Sequence, residues 1–277
     1  MSLLVKSARR GRDIVTVSPG ASGLRYVGFS AHRLAEGEVL PAGQPGRELC
    51  VVVMGGVVTV RCGDAEFREI GERRSVFEDV PPYSVYAPAG VRVEIRAVTA
   101  AEVALGSAPA AGKLAPRLIE PGSMRRTVRG KELNTRYVTD ILPEDVPAEG
   151  LLVVEVRTPT GHSSSYPPHK HDRSAPPDET LLEETYYHRI DPEQGFVFQR
   201  VYTDERDLDE SHAVEDHDLM VVPRGYHPVV VPWGYRSYYL NVMAGPVRSW
   251  HFANDPAHSW ILEADPRRPA GLAPGKR

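Results

Sequence analysis

Apolar residues along the chain fall in short runs of strand length, separated by clusters of Pro, Gly and Asp. CVVVMGGVVTVRC (50–62) holds two β-branched runs joined by Gly55 and Gly56, which can take the positive φ of a two-residue turn. The segment predicts a hairpin. Comparable runs follow at VRVEIRAV (91–98), LLVVEVRT (151–158), ETYYHRI (184–190), FVFQRVYT (196–203), LMVVP (219–223) and SYYLNVM (237–243). Twenty-five prolines and 24 glycines oppose long helices, so the pattern predicts an all-β sandwich or jelly roll with little helix.

Between about 107 and 150 the pattern changes. SAPAAGKLAPRLIEPGS has neither period and reads as a connector, whereas TRYVTDIL looks like a strand leading into a second half. The expected organisation is an N-terminal domain over 1–110, a connector and entry strand over 111–150 and a C-terminal domain over 151–277. The halves echo each other: YAPAGVRVEI (86–95) lies over VVPRGYHPVV (221–230), aligning Pro88 with Pro223 and Gly90 with Gly225. Arg92 then stands where His227 does, and at a nearly equal offset Glu48 falls opposite Glu184. Nothing before Glu48 matches the paired histidines of the second half, so duplication with one polar site retained is the expectation.

Charge and cysteine content narrow the class. The net charge of −4 is spread over interleaved signs, which builds no basic face for nucleic acid or anionic lipid and favours a small-molecule partner, with self-association left open. No run approaches the roughly 20 apolar residues of a membrane span, and MSLLVKSARRGRD lacks the apolar stretch of a secretory signal. A cytoplasmic location is expected. Cys50 and Cys62 are too few for a disulfide framework and read as small buried apolar residues.

Nine of the ten histidines lie at or after His162. In PPHKHD, strand alternation would point His169 and His171 the same way, about 7 Å apart, so that both imidazoles can converge on one ion. Glu184 opens the next strand and could add a carboxylate, and His227 in PRGYHP could supply a fourth ligand. Three imidazoles and a carboxylate suit zinc, manganese, iron, cobalt or nickel. An isolated HxH pair is common on surface strands; the combination with the later Glu and P-x-G-x-H is what points to a metal.

PPHKHD, LEETYYHRI, GFVFQRVYTDERDLDE, VEDHDLMVVPRGYHPV and YYLNVMAGPVRSW resemble the 5-deoxy-glucuronate isomerase family of myo-inositol catabolism. PPY…YAPAG in the first half and RYVTDILPED before the second fit it too, so the resemblance spans nearly the whole chain. It implies a double cupin: two jelly-roll, double-stranded β-helix barrels with few short helices. It also implies a metal on His169, His171, Glu184 and His227. Twelve residues separate His171 from Glu184, where a typical cupin has only a few, and the insert DRSAPPDETLLE offers Glu179 and Glu183 as rivals. Glu184 is preferred because the aromatic strand begins directly after it. KELNTRY (131–137) lacks the glycine expected before Asn134, which puts a role for that loop in doubt.

The implied reaction is an aldose–ketose isomerisation of 5-deoxy-D-glucuronate to 5-dehydro-2-deoxy-D-gluconate, in which a proton leaves C2 and returns at C1. A divalent ion would stabilise the negative charge that develops, and without redox change zinc or manganese would serve and no organic cofactor is implied. Glu155, Tyr186 and Tyr202 are the acid–base candidates, with Tyr186 placed on the Glu184 face by alternation and His188 read as a hydrogen-bonded strand residue. Arg157, Arg200 and Arg224 are candidate partners for the substrate carboxylate, and Tyr235, Tyr238 and Tyr239 are assigned to packing. Three other readings stay open: a uronate ketol-isomerase of pectin breakdown, an iron-dependent cupin oxygenase, and a sugar-acid binding module.

Overall fold

Alternation along the strong runs decides which core each side chain enters. In the strand Arg47–Gly55, Leu49, Val51 and Val53 join a core with Val60, Val85 and Ile95, while Cys50, Val52 and Met54 pack on the other side against Tyr238, Leu240 and Val242. The strand Glu183–Asp191 repeats this arrangement: Tyr186 and Ile190 face a second core with Val154, Val197 and Met220, and Tyr187 faces the first half. Two barrels thus have separate interiors and share a third apolar layer where their large sheets meet back to back. A computed structural model describes residues 2–20 and 23–263; residues 264–277 of the expected C-terminal domain lie outside them.

Each barrel closes a large sheet over a four-stranded one. The first large sheet runs Arg117–Ile119, Ser84–Ala87, Arg47–Gly55, Ala101–Pro109, Gly28–Leu34, Asp13–Val17. The second runs Leu4–Val5, Leu219–Val222, Glu183–Asp191, Arg236–Ala244, Leu152–Thr158, Arg136–Leu142, Arg125–Arg129. Helix among the described residues is confined to the short 3-10 turns Pro121–Ser123, Glu132–Asn134 and Ser259–Leu262. The fold is the expected all-β double cupin. The two sheets also exchange strands: Leu4–Val5 pairs with Leu219–Val222 of the second barrel, and Arg117–Ile119 pairs with Ser84–Ala87 of the first. The 111–150 stretch, expected to be a connector ending in an entry strand, supplies that strand as Arg136–Leu142 and two further ones, Arg117–Ile119 and Arg125–Arg129.

Two expectations are corrected by the topology. The hairpin across Gly55 and Gly56 does not form: Arg47–Gly55 pairs with Ala101–Pro109 and Ser84–Ala87, whereas Val58–Cys62 lies in the small sheet between Ala65–Ile70 and Val93–Ala97. Gly56, at φ +86°, passes the chain from one sheet to the other where a Cβ would collide with Ala100 and Ala101. The second correction is a one-residue slip in the internal repeat. Glu48 pairs with Ala108 and Gly28 with Ser107, as Glu183 pairs with Ala244 and Leu152 with Met243. Glu48 is therefore the counterpart of Glu183, and Leu49 that of Glu184. One position of slip exchanges the faces of a strand.

Side-chain chemistry agrees with that register. Glu48 accepts hydrogen bonds from the backbone N–H groups of Glu149, Gly150 and Leu151, just before the strand Leu152–Thr158. Glu183 accepts from Arg25, Tyr26 and Val27, just before the strand Gly28–Leu34. Each barrel so anchors the chain that enters the other. The match of Gly90 with Gly225 holds in the ladders, both at positive φ, and Arg92, in the place of His227, is exposed and paired with Glu94. Cys50 and Cys62 are buried, as expected, and burial pushes their thiols up to about 12 and about 11.

A charged cluster also bridges the barrels. Glu102 of the first barrel accepts from Tyr187 Oη at 2.8 Å, Arg189 Nη1 at 2.8 Å and His217 Nε2 at 3.2 Å, while Asp216 meets Arg189 Nε at 2.9 Å and His217 Nδ1 at 2.6 Å. Burial alone would lower the His217 pKa, but the bonds to Asp216 and Glu102 outweigh it and raise the pKa above the usual value. A raised folded-state pKa gives stability that is complete below the unfolded value of ~6.5 and is lost as pH rises through the folded value. Thermal melts from pH 6 to 9 should show wild-type stability falling relative to His217→Gln. Parallel curves would remove His217 as the cause.

Candidate metal centre and its cavity

His169 and His171 approach from the short strand His169–Lys170 and its continuation, Glu184 from the start of Glu183–Asp191, and His227 from the turn after Leu219–Val222. Their imidazole nitrogens lie within 4.8 Å of one another. Glu184 Oε2 lies 3.1 Å from His171 Nε2 and 3.2 Å from His227 Nε2. The far nitrogens are engaged: His171 Nδ1 is 2.9 Å from Leu182 O, and His227 Nδ1 is 2.8 Å from Gly225 O. Such bonds set the tautomer that turns Nε2 toward a common centre. His227 Nε2, fully buried, has no aligned hydrogen-bond partner. A buried orphan acceptor among three imidazoles and a carboxylate is what a divalent cation would satisfy, so the donor set fits a metal.

The electrostatics favour a neutral imidazole at His169 and at His227. Burial and the neighbouring histidines hold His169 well below its usual range, and burial takes His227 down to about 4. At His171 burial is outweighed by the hydrogen bond and charge of Glu184, which raise its pKa. The rival carboxylates are committed elsewhere. Glu179 holds Lys170 Nζ at 3.2 Å and accepts from the Asp172 and Arg173 N–H groups, and Glu183 points between the barrels. Glu184→Gln should therefore lower metal content, with little change in the melting temperature of the metal-free protein. Glu183→Gln should leave metal content intact and cost about 1.5–3 kcal/mol through its weakened bonds to buried N–H groups. Elemental analysis beside thermal melts separates the two, and the reverse pattern would exchange the residues' roles.

A cavity of about 270 Å³ opens beside His169 and Glu184. Tyr186 lines it, as alternation from Glu184 predicts, with its Oη 3.0 Å from Ser165 Oγ and its ring 5.7 Å from that of His227. His188 lies farther along, bonded to Gln199 Oε1 at 2.9 Å, and is the hydrogen-bonded strand residue expected. Five other assignments are corrected. Glu155 points to the opposite face from the cavity-lining Val154 and Val156, where it pairs with Arg73 Nη1 at 2.8 Å and Tyr238 Oη at 3.0 Å. Tyr202 follows the inward Val201 and so faces outward, donating to Asp255 at 2.7 Å.

Arg157 shares the outward parity of Glu155 and is paired with Asp79. Arg200 is held by Asp209 and Arg224 by Asp207, each through two hydrogen bonds on the surface. The cavity instead draws its cations from Arg129 and Arg136, on the strands Arg125–Arg129 and Arg136–Leu142. Arg136 has only neutral partners among the described residues, Asn134 Oδ1 and the carbonyls of Asn134 and Tyr166. Burial lowers its pKa, a sign that its charge lacks compensation. Asn134 also ties its own loop down through Nδ2 to Tyr166 O at 2.8 Å. Tyr239, assigned to packing, lines the cavity with its hydroxyl 3.5 Å from Ser165 Oγ. No sequence signal marked Arg136, because its partners Asn134 and Tyr166 lie 32 residues apart and meet only in the folded chain.

The model of the KduI/IolB family matches residues 3–261. A 5-deoxy-glucuronate isomerase of Geobacillus kaustophilus is 50% identical over 252 residues, covering 91% of both chains. Among solved structures, an IolB-like protein from Salmonella typhimurium LT2 aligns with TM-score 0.92 and 47% identity, over 94% of this chain and 99% of that one. An oxalate decarboxylase of Lactobacillus farciminis, at TM-score 0.62 and 12% identity over 90% and 85% of the two chains, shares the two-barrel fold alone. A match that runs nearly end to end, with both barrels superposing on a relative of almost half-identical sequence, establishes that the chain belongs to the KduI/IolB family.

Proposed function

We infer that the chain is an isomerase converting 5-deoxy-D-glucuronate to 5-dehydro-2-deoxy-D-gluconate, acting in cytoplasmic myo-inositol catabolism. The observation that carries this reading is the His169, His171, His227 and Glu184 cluster at a cavity of sugar-acid size, in a chain half identical to proteins of that name. A divalent ion held by those four side chains, zinc or manganese, would supply a positive charge against the negative charge that develops as the C2 proton leaves. Arg136 is the partner for the substrate carboxylate, because it faces the cavity and lacks an acidic partner among the described residues. Burial and the charge of Glu184 hold the Tyr186 phenol far above its ordinary pKa. Its Oη, 3.0 Å from Ser165 Oγ, belongs to a side chain that lines the cavity and serves as donor toward a substrate oxygen.

The test is turnover of 5-deoxy-D-glucuronate by purified, metal-analysed protein, with a pectin-derived 4-deoxy uronate as counter-substrate. Absence of turnover at full metal occupancy would favour a binding module, and preference for the counter-substrate would reassign the reaction. Since Arg92 occupies the place of His227 and Leu49 that of Glu184, elemental analysis should find one tightly held divalent ion per chain. Two equivalents surviving dialysis would contradict that count.

A further inference from the structure

The first barrel has a cavity of its own, of about 350 Å³, at the place that corresponds to the metal-side cavity of the second. The matched ladders set Ser30 against Val154, His32 against Val156, Leu49 against Glu184 and Leu105 against Asn241; all eight line their respective cavities. The metal ligands have no counterparts there. Polarity nevertheless increases where the second barrel has valines, since His32 and Ser30 stand in the place of two of them, joined by Thr16 and Ser107.

Arg47 occupies this cavity much as Arg136 occupies the other. Its guanidinium meets only neutral oxygens: Tyr26 O at 2.5 Å, Ser107 O at 2.8 Å and Ser107 Oγ at 3.2 Å. The carboxylates nearby are already committed. Asp13 is taken by His32 Nδ1 at 2.8 Å and by Arg12, Glu48 by three backbone N–H groups, and Glu183 likewise by three. A half-buried cation whose hydrogen bonds among the described residues all go to neutral oxygens, with Glu183 acting on it only through space, sits among hydroxyl groups in a concave site and presents the complement of a small carboxylate that also carries hydroxyls.

We propose that the mouth of the first barrel is a second, metal-independent binding site for a hydroxylated carboxylic acid, with Arg47 on the carboxylate and Ser30, Ser107 and Thr16 facing its hydroxyls. The proposal does not depend on which reaction the second barrel catalyses. His32 is the only histidine before His162, so its ring signals, assigned with His32→Gln, report on this cavity alone. In the metal-loaded protein, D-gluconate should shift the His32 signals saturably. Arg47→Met should weaken that response on the order of 10–100-fold, as expected for loss of a charge-assisted pair, while turnover at the other barrel persists and attests to the fold. Ala42→Trp, which obstructs the mouth without touching Arg47's bonds, should abolish it if Arg47→Met does not fold. Arg136→Met should leave the shift unchanged. Absence of a saturable shift in wild type, its survival in Ala42→Trp, or an equal response to inorganic phosphate would each overturn the proposal.

Discussion

Replacing His171 with alanine is expected to lower kcat by about 10²–10³-fold even when metal is restored to full occupancy, the cost typical of losing one preorganised electrostatic contact. The reason is geometric. His171 Nε2 sits against Glu184 while Nδ1 is held to Leu182 O, so the ring helps fix the carboxylate as well as offering a ligand atom. Charge appears on the substrate only as the C2 proton leaves, so the deficit should fall on turnover more than on KM. Steady-state kinetics on metal-analysed variant protein measures this. A change confined to KM would mean that the cluster only positions the sugar acid.

The largest loss of stability is expected far from that cluster. Glu155→Ala should destabilise the protein by about 3–5 kcal/mol, because it strands Arg73, itself 2% exposed, between the barrels without its counter-charge. Arg73 also donates through Nε to Met54 O at 3.0 Å, so the guanidinium cannot swing out to water without breaking a second contact. Denaturant melts would record the loss, and the folded fraction should retain its kcat. A variant that melts normally but is inactive would return Glu155 to the catalytic role that the sequence suggested for it.

The contrast between His171 and Glu155 shows which parts of the site were legible. The proposed ligand positions are local: His169 lies on a short strand and His171 just past its end, Glu184 begins the next buried strand, and P-x-G-x-H marks a turn whose glycine has φ +91°. Glu155 lies on an equally clear strand, but both faces of Leu152–Thr158 are buried, one in the barrel and one between barrels. Alternation then cannot tell which face holds the site. The arginines failed for a related reason. Arg200 and Arg224 find acidic partners within their own barrel, at Asp209 and Asp207, and are spent there, whereas Arg136, the proposed carboxylate partner, has none among the described residues. The Gly55–Gly56 hairpin failed because two adjacent glycines serve a sheet-to-sheet crossing as well as a tight turn.

The exchanged strands set an order of events during synthesis. Leu4 pairs with Met220 and Val5 with Leu219, so this strand must wait until Leu219–Val222 has been made before it meets its partner. At typical elongation rates of ~5–20 residues per second the delay is roughly 10–40 s. Over that interval the first barrel can assemble around Arg117–Ile119, whose partner Ser84–Ala87 is already present. The leading segment stays unpaired until Leu219–Val222 emerges. Closure of the second sheet by Leu4–Val5 therefore reports that translation has passed Leu219–Val222, which makes that strand a late latch on the nascent protein.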